Sequence, residues 1–288
     1  DKGVAALTIM MSETTITQLK LDSNNIGTKG AFAVADVLPQ SKIEDLSMDE
    51  NHIDNEGAAA VAQVLPNTKI TKLSLGYNRI GAEGALAIAE VLLRSNVQKL
   101  SVDGYVLPID ELKGTTPVDT LSFADQRLGL ASAIIIAVCI PGNKHLKQFS
   151  LLNNNIGAEG AAAVAKALPD SKVEKLNLNE NKVDDKGAAA IAEVLPQSEI
   201  IQLSLDLNSI SERGATAIAE ALKQSKIEHL SLNINDIGTK GAAAIAEVLP
   251  QSNLQHLSLL GNGITEAGKQ MLRAASAQTA SRSLKVVL

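Results

Sequence analysis

Apolar positions alternate with polar ones at a period of two, switch to a helical period, and switch back, along nearly the whole chain. The stretch from Asn154 to Leu195 shows the cycle. Leu176 and Leu178 flank Asn177, a period of two that predicts a short strand with one apolar face. Ala188, Ile191, Ala192 and Leu195 then follow at the i, i+3, i+4, i+7 spacing of an amphipathic helix. One asparagine marks the same point of each cycle: Asn24, Asn51 and Asn78, then Asn154, Asn181, Asn208, Asn235 and Asn262, in steps of 27 residues within each block. A fixed period of that length is the mark of a stacked repeat.

The punctuation agrees. Gly27, Asp54, Asp184, Ser211 and Thr265 stand where an N-cap belongs. Pro39, Pro66, Pro169, Pro196 and Pro250 follow the last helical leucine and stop the helix. Each unit is thus a strand, a turn, a helix and a return. No unit can bury its leucines alone, so the copies must stack. Strands pack about 4.8 Å apart and helices about 8–10 Å apart, which predicts a curved array with strands on the concave side and helices on the convex side. The recurring asparagine reads as structural, its amide bonding the backbone of its own turn and of the next repeat.

The period breaks once. Leu100-Ser101-Val102 is a regular strand, but Tyr105 replaces the asparagine, and the next strand, Leu121-Ser122-Phe123, comes 21 residues later. The proline-bearing stretch from Leu107 to Pro117 leaves no room for a full helix. Gln126 replaces the second asparagine, and Ile134, Ile135, Ile136, Val138, Cys139 and Ile140 stand where other units carry alanines. These changes predict a gap on the helical side filled by larger side chains, or left as a notch. At the ends, Asp1 to Ile16 aligns with the second half of a unit, which leads one to expect further sequence ahead of it. The last helix, Lys269 to Ala280, is polar and irregular, and Ser283 to Val286 reads as a final strand.

The L-x-L-x-x-N-x-I-G-x-x-G-A pattern, as at Leu19–Ala31 and Leu230–Ala242, resembles the leucine-rich repeat superfamily in its ribonuclease-inhibitor-like subtype, along essentially the whole chain. That subtype includes the ribonuclease inhibitors, the Ran GTPase-activating protein and the repeat arrays of NOD-like receptors. The resemblance implies an α/β leucine-rich repeat solenoid: a curved horseshoe with a parallel β-sheet on the concave face and α-helices on the convex face. The reading is one domain over residues 1–288, with about ten strand–helix units, one shortened unit near 103–120 and partial repeats at both ends.

Composition narrows the function. Aromatics are 2% of the chain and the net charge is −6, which disfavours base stacking and nucleic acid and favours a partner with a basic surface. Cys139 is the one cysteine, so no internal disulfide can form, and with no N-x-S/T acceptor this points to an intracellular, cytoplasmic setting. No apolar run spans a membrane; Ala133 to Pro141 is too short.

Side chains on the open concave sheet are the candidate binding surface. Ser47, Ser74, Ser101, Ser122, Ser150, Ser204, Ser231 and Ser258 form a ladder of small residues suited to a tight inner face. The next two columns vary, as recognition requires. Asp22, Asp49, Glu50, Asp103 and Asp125 make one half acidic around Tyr77; Leu152, Glu180 and Asp206 lead to an aliphatic patch of Leu207, Ile234 and Leu260. Aliphatic and aromatic anchors within a charged rim carry interface energy. His229 and His256 fall at equivalent positions of adjacent strands and should be neighbours; a metal there would need further ligands. No phosphate loop, H-E-x-x-H, nucleophile elbow or C-x-x-C occurs, and nothing calls for a cofactor. The expectation is a non-enzymatic module that binds a protein partner through its concave face and rim, as a monomer with end-to-end self-association open. Two other readings follow from the resemblance: the ligand-sensing or autoinhibitory region of a larger NOD-like-receptor-type protein, and a GTPase activator.

Overall fold

The computed structural model describes residues 15–279 and 284–288. The half-unit expected before Thr15, and Ala280 and Ser283 at the other end, lie outside the described residues. The chain divides into two compact units.

The first unit runs to Thr116 and includes Leu128–Cys139. It contains β1 (Gln18–Lys20), α1 (Thr28–Val37), β2 (Asp45–Ser47), α2 (Asn55–Val64), β3 (Lys72–Ser74), α3 (Ala82–Leu92), β4 (Lys99–Ser101), β5 (Val106–Pro108), α4 (Ile109–Lys113) and α5 (Leu130–Cys139). Its sheet has the order β1-β2-β3-β4-β5, parallel except for β5, which folds back antiparallel on β4. The second unit holds β6 (Thr120–Ser122), β7 (Gln148–Ser150), α6 (Gly157–Ala167), β8 (Lys175–Asn177), α7 (Asp185–Val194), β9 (Gln202–Ser204), α8 (Glu212–Leu222), β10 (His229–Ser231), α9 (Gly238–Val248), β11 (His256–Ser258), α10 (Glu266–Ala277) and β12 (Lys285–Val287). Its seven strands are all parallel and lie in sequence order.

Within each unit the leucines fall in register strand after strand, as Leu46 opposite Leu73 opposite Leu100. They are buried beneath helices that bury their small and aliphatic stripe, Gly187, Ala188, Ile191 and Ala192 in α7. Phe123 and Phe149 meet edge to face at 5.9 Å in the second unit. The helix exits are closed by hydroxyls absent from the sequence argument. Ser41, Thr68, Ser171, Ser198 and Ser252 each donate to the leucine carbonyl three residues back, satisfying one of the orphan acceptors of a helix end.

The asparagines do what their spacing requires. The Asn51 amide nitrogen donates to the carbonyls of Met48 and Asp49 in its own turn (both 3.0 Å) and of Leu21 in the preceding repeat (2.9 Å). Its Oδ1 accepts from Asn24 N (3.0 Å) and Ile26 N (2.8 Å). Asn208 repeats the set with Leu178, Leu205, Asp206, Asn181 N and Val183 N. Gln126 keeps one of these bonds, to the Ala124 carbonyl at 2.7 Å.

Helix starts are tied in the same way. Asp54, Asp184 and Ser211 accept N–H bonds as N-caps, and Gly27 and Thr265 hold the position without a side-chain cap. A residue of one repeat also caps the next: Asn55 accepts from Gly81 N and Gly84 N, and Asp185 from Ser211 N and Gly214 N. Burial would raise the Asp185 pKa, but the Ser211 hydroxyl, the two N–H groups and the Arg213 charge outweigh it, and the value lies below the ordinary one.

The irregular stretch differs from the sequence expectation. A five-residue helix, α4, survives there, and α5 packs directly on α3, so the first unit leaves no gap between them. Asp103 makes this possible by accepting from Gly129 N (2.9 Å) and Ser132 N (3.0 Å), 26 and 29 residues on, the same offsets at which Asn55 and Asp185 act. Lys113 donates to the Leu92 carbonyl at the end of α3, where a cation suits the helix dipole. The large side chains of α5 answer its burial on nearly all sides; Cys139 lies among them, its thiol pushed up to about 12 by desolvation, with Lys113 opposing the shift.

Asn235→Ala should cost about 2–4 kcal/mol in urea unfolding, because several buried backbone groups lose their partner. The exposed Asn24, with one amide bond to Asp22, should cost under about 1 kcal/mol. Asp185→Asn keeps the geometry that Asn55 shows and removes the charge. A depressed carboxylate stabilises the fold above its ordinary pKa and loses that contribution as pH falls through the folded value. The variant should therefore be less stable near neutral pH, with the difference vanishing in acid in a pH series of Tm.

Candidate functional site

One backbone feature recurs at every strand exit. The residue before each asparagine, or before the Tyr105 or Gln126 that replaces it, lies in the left-handed region: Ser23, Glu50, Tyr77, Asp125, Asn153, Glu180, Leu207 and Ile234 at φ from 49° to 61°, and Gly104 and Gly261 at 92° and 69°. The turn demands this conformation whatever the side chain. Glycine takes it freely and asparagine cheaply, but other L-residues pay about 1–2 kcal/mol, and a β-branched side chain is the worst fit. Leu207 and Ile234 therefore sit on backbone that resists them.

They gain little burial in return. Tyr77 is 65% exposed, Leu207 44%, Ile234 53% and Leu260 45%. In the second unit the Ile234 amide donates to the Leu260 carbonyl at 2.7 Å, so these side chains are neighbours, and Leu207 precedes Ile234 by one repeat. Two of the anchors are held in place by glycine. A Cβ on Gly104 would meet the Tyr77 ring at 2.6 Å, and one on Gly261 would meet Ile234 Cγ1 at 3.1 Å. Each large side chain lies across the bare backbone of the next repeat.

The acidic candidates divide differently. Asp22 Oδ1 accepts from the Ser47 hydroxyl and from Asp49 N; Asp49 does the same for Ser74 and Gly76 N, and Asp206 for Ser231 and Asn233 N, at 2.5–2.9 Å. Asn233 continues the pattern with Ser258 and Leu260 N. Ser47, Ser74, Ser231 and Ser258 of the ladder are therefore one half of a lateral hydrogen-bond system, and these three carboxylates and the Asn233 amide are the other. The signal was in the sequence as an Asp or Asn just past the L-x-L or L-x-M strand, as at Leu19–Asp22, Leu46–Asp49, Leu203–Asp206 and Leu230–Asn233, followed by a strand serine one repeat later. Asp103 caps α5. Glu50 accepts from Ser23, and Asp125 from Asn153. Leu152 is half-buried. Tyr77 in the first unit, and Glu180, Leu207, Ile234 and Leu260 in the second, are the candidates left exposed without a side-chain hydrogen bond among the described residues.

An open trough of about 330 Å³ runs over β6 to β9, floored by Ser122, Ser150, Asn177 and Ser204. Of the first strand positions, which share this face by the period of two, the sequence singled out His229 and His256; Lys72 and Lys99 in the first unit and Lys175 and Gln202 in the second stand in the same column. Lys72 pairs with Asp45 at 3.1 Å. His229 and His256 are neighbours, with ring centroids 6.2 Å apart. Among the described residues no group of three or more His, Cys, Asp or Glu side chains is placed to hold a metal ion, and no helix is long and apolar enough to cross a membrane.

Short parallel strands, one helix per regular repeat and an interlocking asparagine define the class: an α/β solenoid of stacked repeats. The model of the Leucine Rich repeat family matches residues 12–35, 40–62, 67–89, 142–165, 170–192 and 223–246. The chain is a leucine-rich repeat protein. No curated protein matches it. Among solved structures, the actin-binding site 2 of leiomodin-1 is similar at 20% identity and a TM-score of 0.42, over 60% of this chain and 88% of that one. An internalin (inlF) from Listeria monocytogenes is similar at 16% identity and a TM-score of 0.31, over 99% and 93%.

Ile234→Asn should raise stability by about 0.5–1 kcal/mol in urea unfolding by relieving the left-handed backbone. Gly104→Ala should lower it by about 1–2 kcal/mol, partly restored when Tyr77→Ala removes the ring that the new methyl strikes.

Proposed function

We propose that this chain is a non-enzymatic interaction module of the ribonuclease-inhibitor-like subtype that binds a protein partner through its open sheet faces and their rims. The observation that carries the reading is the pair Leu207 and Ile234: exposed aliphatic side chains kept on left-handed backbone where glycine or asparagine would stabilise the fold. A choice that weakens the folded state and covers no core is accounted for by something outside the chain. Exposed aliphatic clusters of this kind mark interaction sites. The subtype is supported by the helix in each regular repeat and the 27-residue step. A single buried cysteine fits a reducing, cytoplasmic setting, and the module acts as a monomer.

The test is affinity capture from the source lysate with the wild-type chain and the Leu207→Asp/Ile234→Asp double variant, both shown to be folded by circular dichroism. A partner kept by the wild type and lost by the variant is the expected outcome. A partner retained equally by both moves recognition away from this patch.

A further inference from the structure

The second unit carries another row on the same face as the aliphatic patch. Lys175, Gln202, His229, His256 and Lys285, the first residues of β8 to β12, stand in register across the sheet. Four are exposed and His256 is half-buried. Every member can donate a hydrogen bond and none is acidic. Neither Lys175 nor Lys285 has an ion-pair partner among the described residues. Of the nearby acids, Glu174 is held by Lys147 at 3.0 Å, and Glu228 lies at the strand margin beside His229.

Between this row and the patch lie Asn177, Ser204, Ser231 and Ser258, and then Asp206 and Asn233, whose side chains are taken up by the lateral hydrogen bonds to Ser231 and Ser258. His256 and Leu260 are four residues apart, about 13 Å along an extended chain. An α-helix is about 10–12 Å across, so one helix fills that width. Its turns repeat at about 5.4 Å against a strand spacing of about 4.8 Å, so a helix laid across the strands offers roughly one side chain to each strand in turn. An extended peptide in that direction repeats its facing side chains at about 6.6 Å and falls out of step. Glu180 continues the line of the patch one repeat earlier, and beyond that line Lys182, Ser209 and Asp236 are exposed. The surface is therefore a row of donors with a lysine at each end on one side and an aliphatic ridge on the other.

We propose that β8 to β12 dock an amphipathic helix of a protein partner, with its aliphatic stripe on Leu207, Ile234 and Leu260 and an acidic flank along Lys175, His229, His256 and Lys285. This rests on the protein-binding reading above and gives it a partner class. The basic surface expected from net charge refers to the whole chain; the row is a local exception.

The experiment is a display selection on the wild-type chain, with counter-selection on Leu207→Asp/Ile234→Asp. One library holds helical peptides with a fixed leucine stripe and flanks drawn from Glu, Lys and Gln; a second holds extended peptides of the same composition. Helical members with glutamates on one flank should enrich, and should lose about tenfold in affinity on a folded Lys175→Glu/Lys285→Glu variant. Enrichment of extended peptides, of helices basic on both flanks, or of nothing above the counter-selected variant overturns the proposal. If lysate capture still depends on Leu207 and Ile234 while the selection fails, the helix assignment falls and the protein-binding reading stands. If capture ignores those residues as well, both fall.

Discussion

The asparagine amide at the strand exit of the regular repeats, buried at Asn51, Asn154, Asn181, Asn235 and Asn262, is the constraint on which the rest depends. A sharp turn out of a parallel strand leaves carbonyls and N–H groups pointing inward, and buried groups of that kind must be paired. The side chain of one repeat pairs the backbone of two, so a repeat is complete only when its neighbour is present. Leucine burial, helix capping and the lateral serine–aspartate bonds obey the same rule; each reaches about one period along the chain. Stability in such an array resides in the joints as much as in the modules.

Much of this was legible because each element announces itself through a different residue type. Alternating leucines marked the strands, alanine and isoleucine spacing the helices, and Asp54, Asp184 and Ser211 the helix starts. The irregular stretch was harder. Its prolines ruled out a full helix, but no local pattern could say that α5 would close against α3, or that Asp103 would reach forward to cap it. Those outcomes depend on which N–H groups a distant helix leaves unpaired, and that is a property of the assembled unit.

The candidate surface was legible in position and only partly in role. Asp22, Asp49 and Asp206 looked like a recognition column because they vary and are charged, yet they are occupied in tying strand exits together. Leu207 and Ile234 were visible as aliphatics on an open face, but their left-handed backbone was not, since nothing in Leu or Ile signals positive φ. Neighbouring copies supply the clue afterwards: Gly104, Gly261 and Asn153 fill the same slot with residues that suit it. Of the first column of the strands only His229 and His256 were read as neighbours. The lysines and glutamine beside them look like ordinary solvated side chains until register places them in a row.

The left-handed slot also separates scaffold from surface. Its backbone bonds are made by the turn and its side chain points away from the core, so serine, glutamate, tyrosine, aspartate, asparagine, leucine, isoleucine and glycine all occupy it in this one chain. The slots behave as interchangeable sockets on a fixed rail. The surface can be rewritten one socket at a time for a conformational toll of about 1–2 kcal/mol at most, while the fold beneath goes on reading its asparagines.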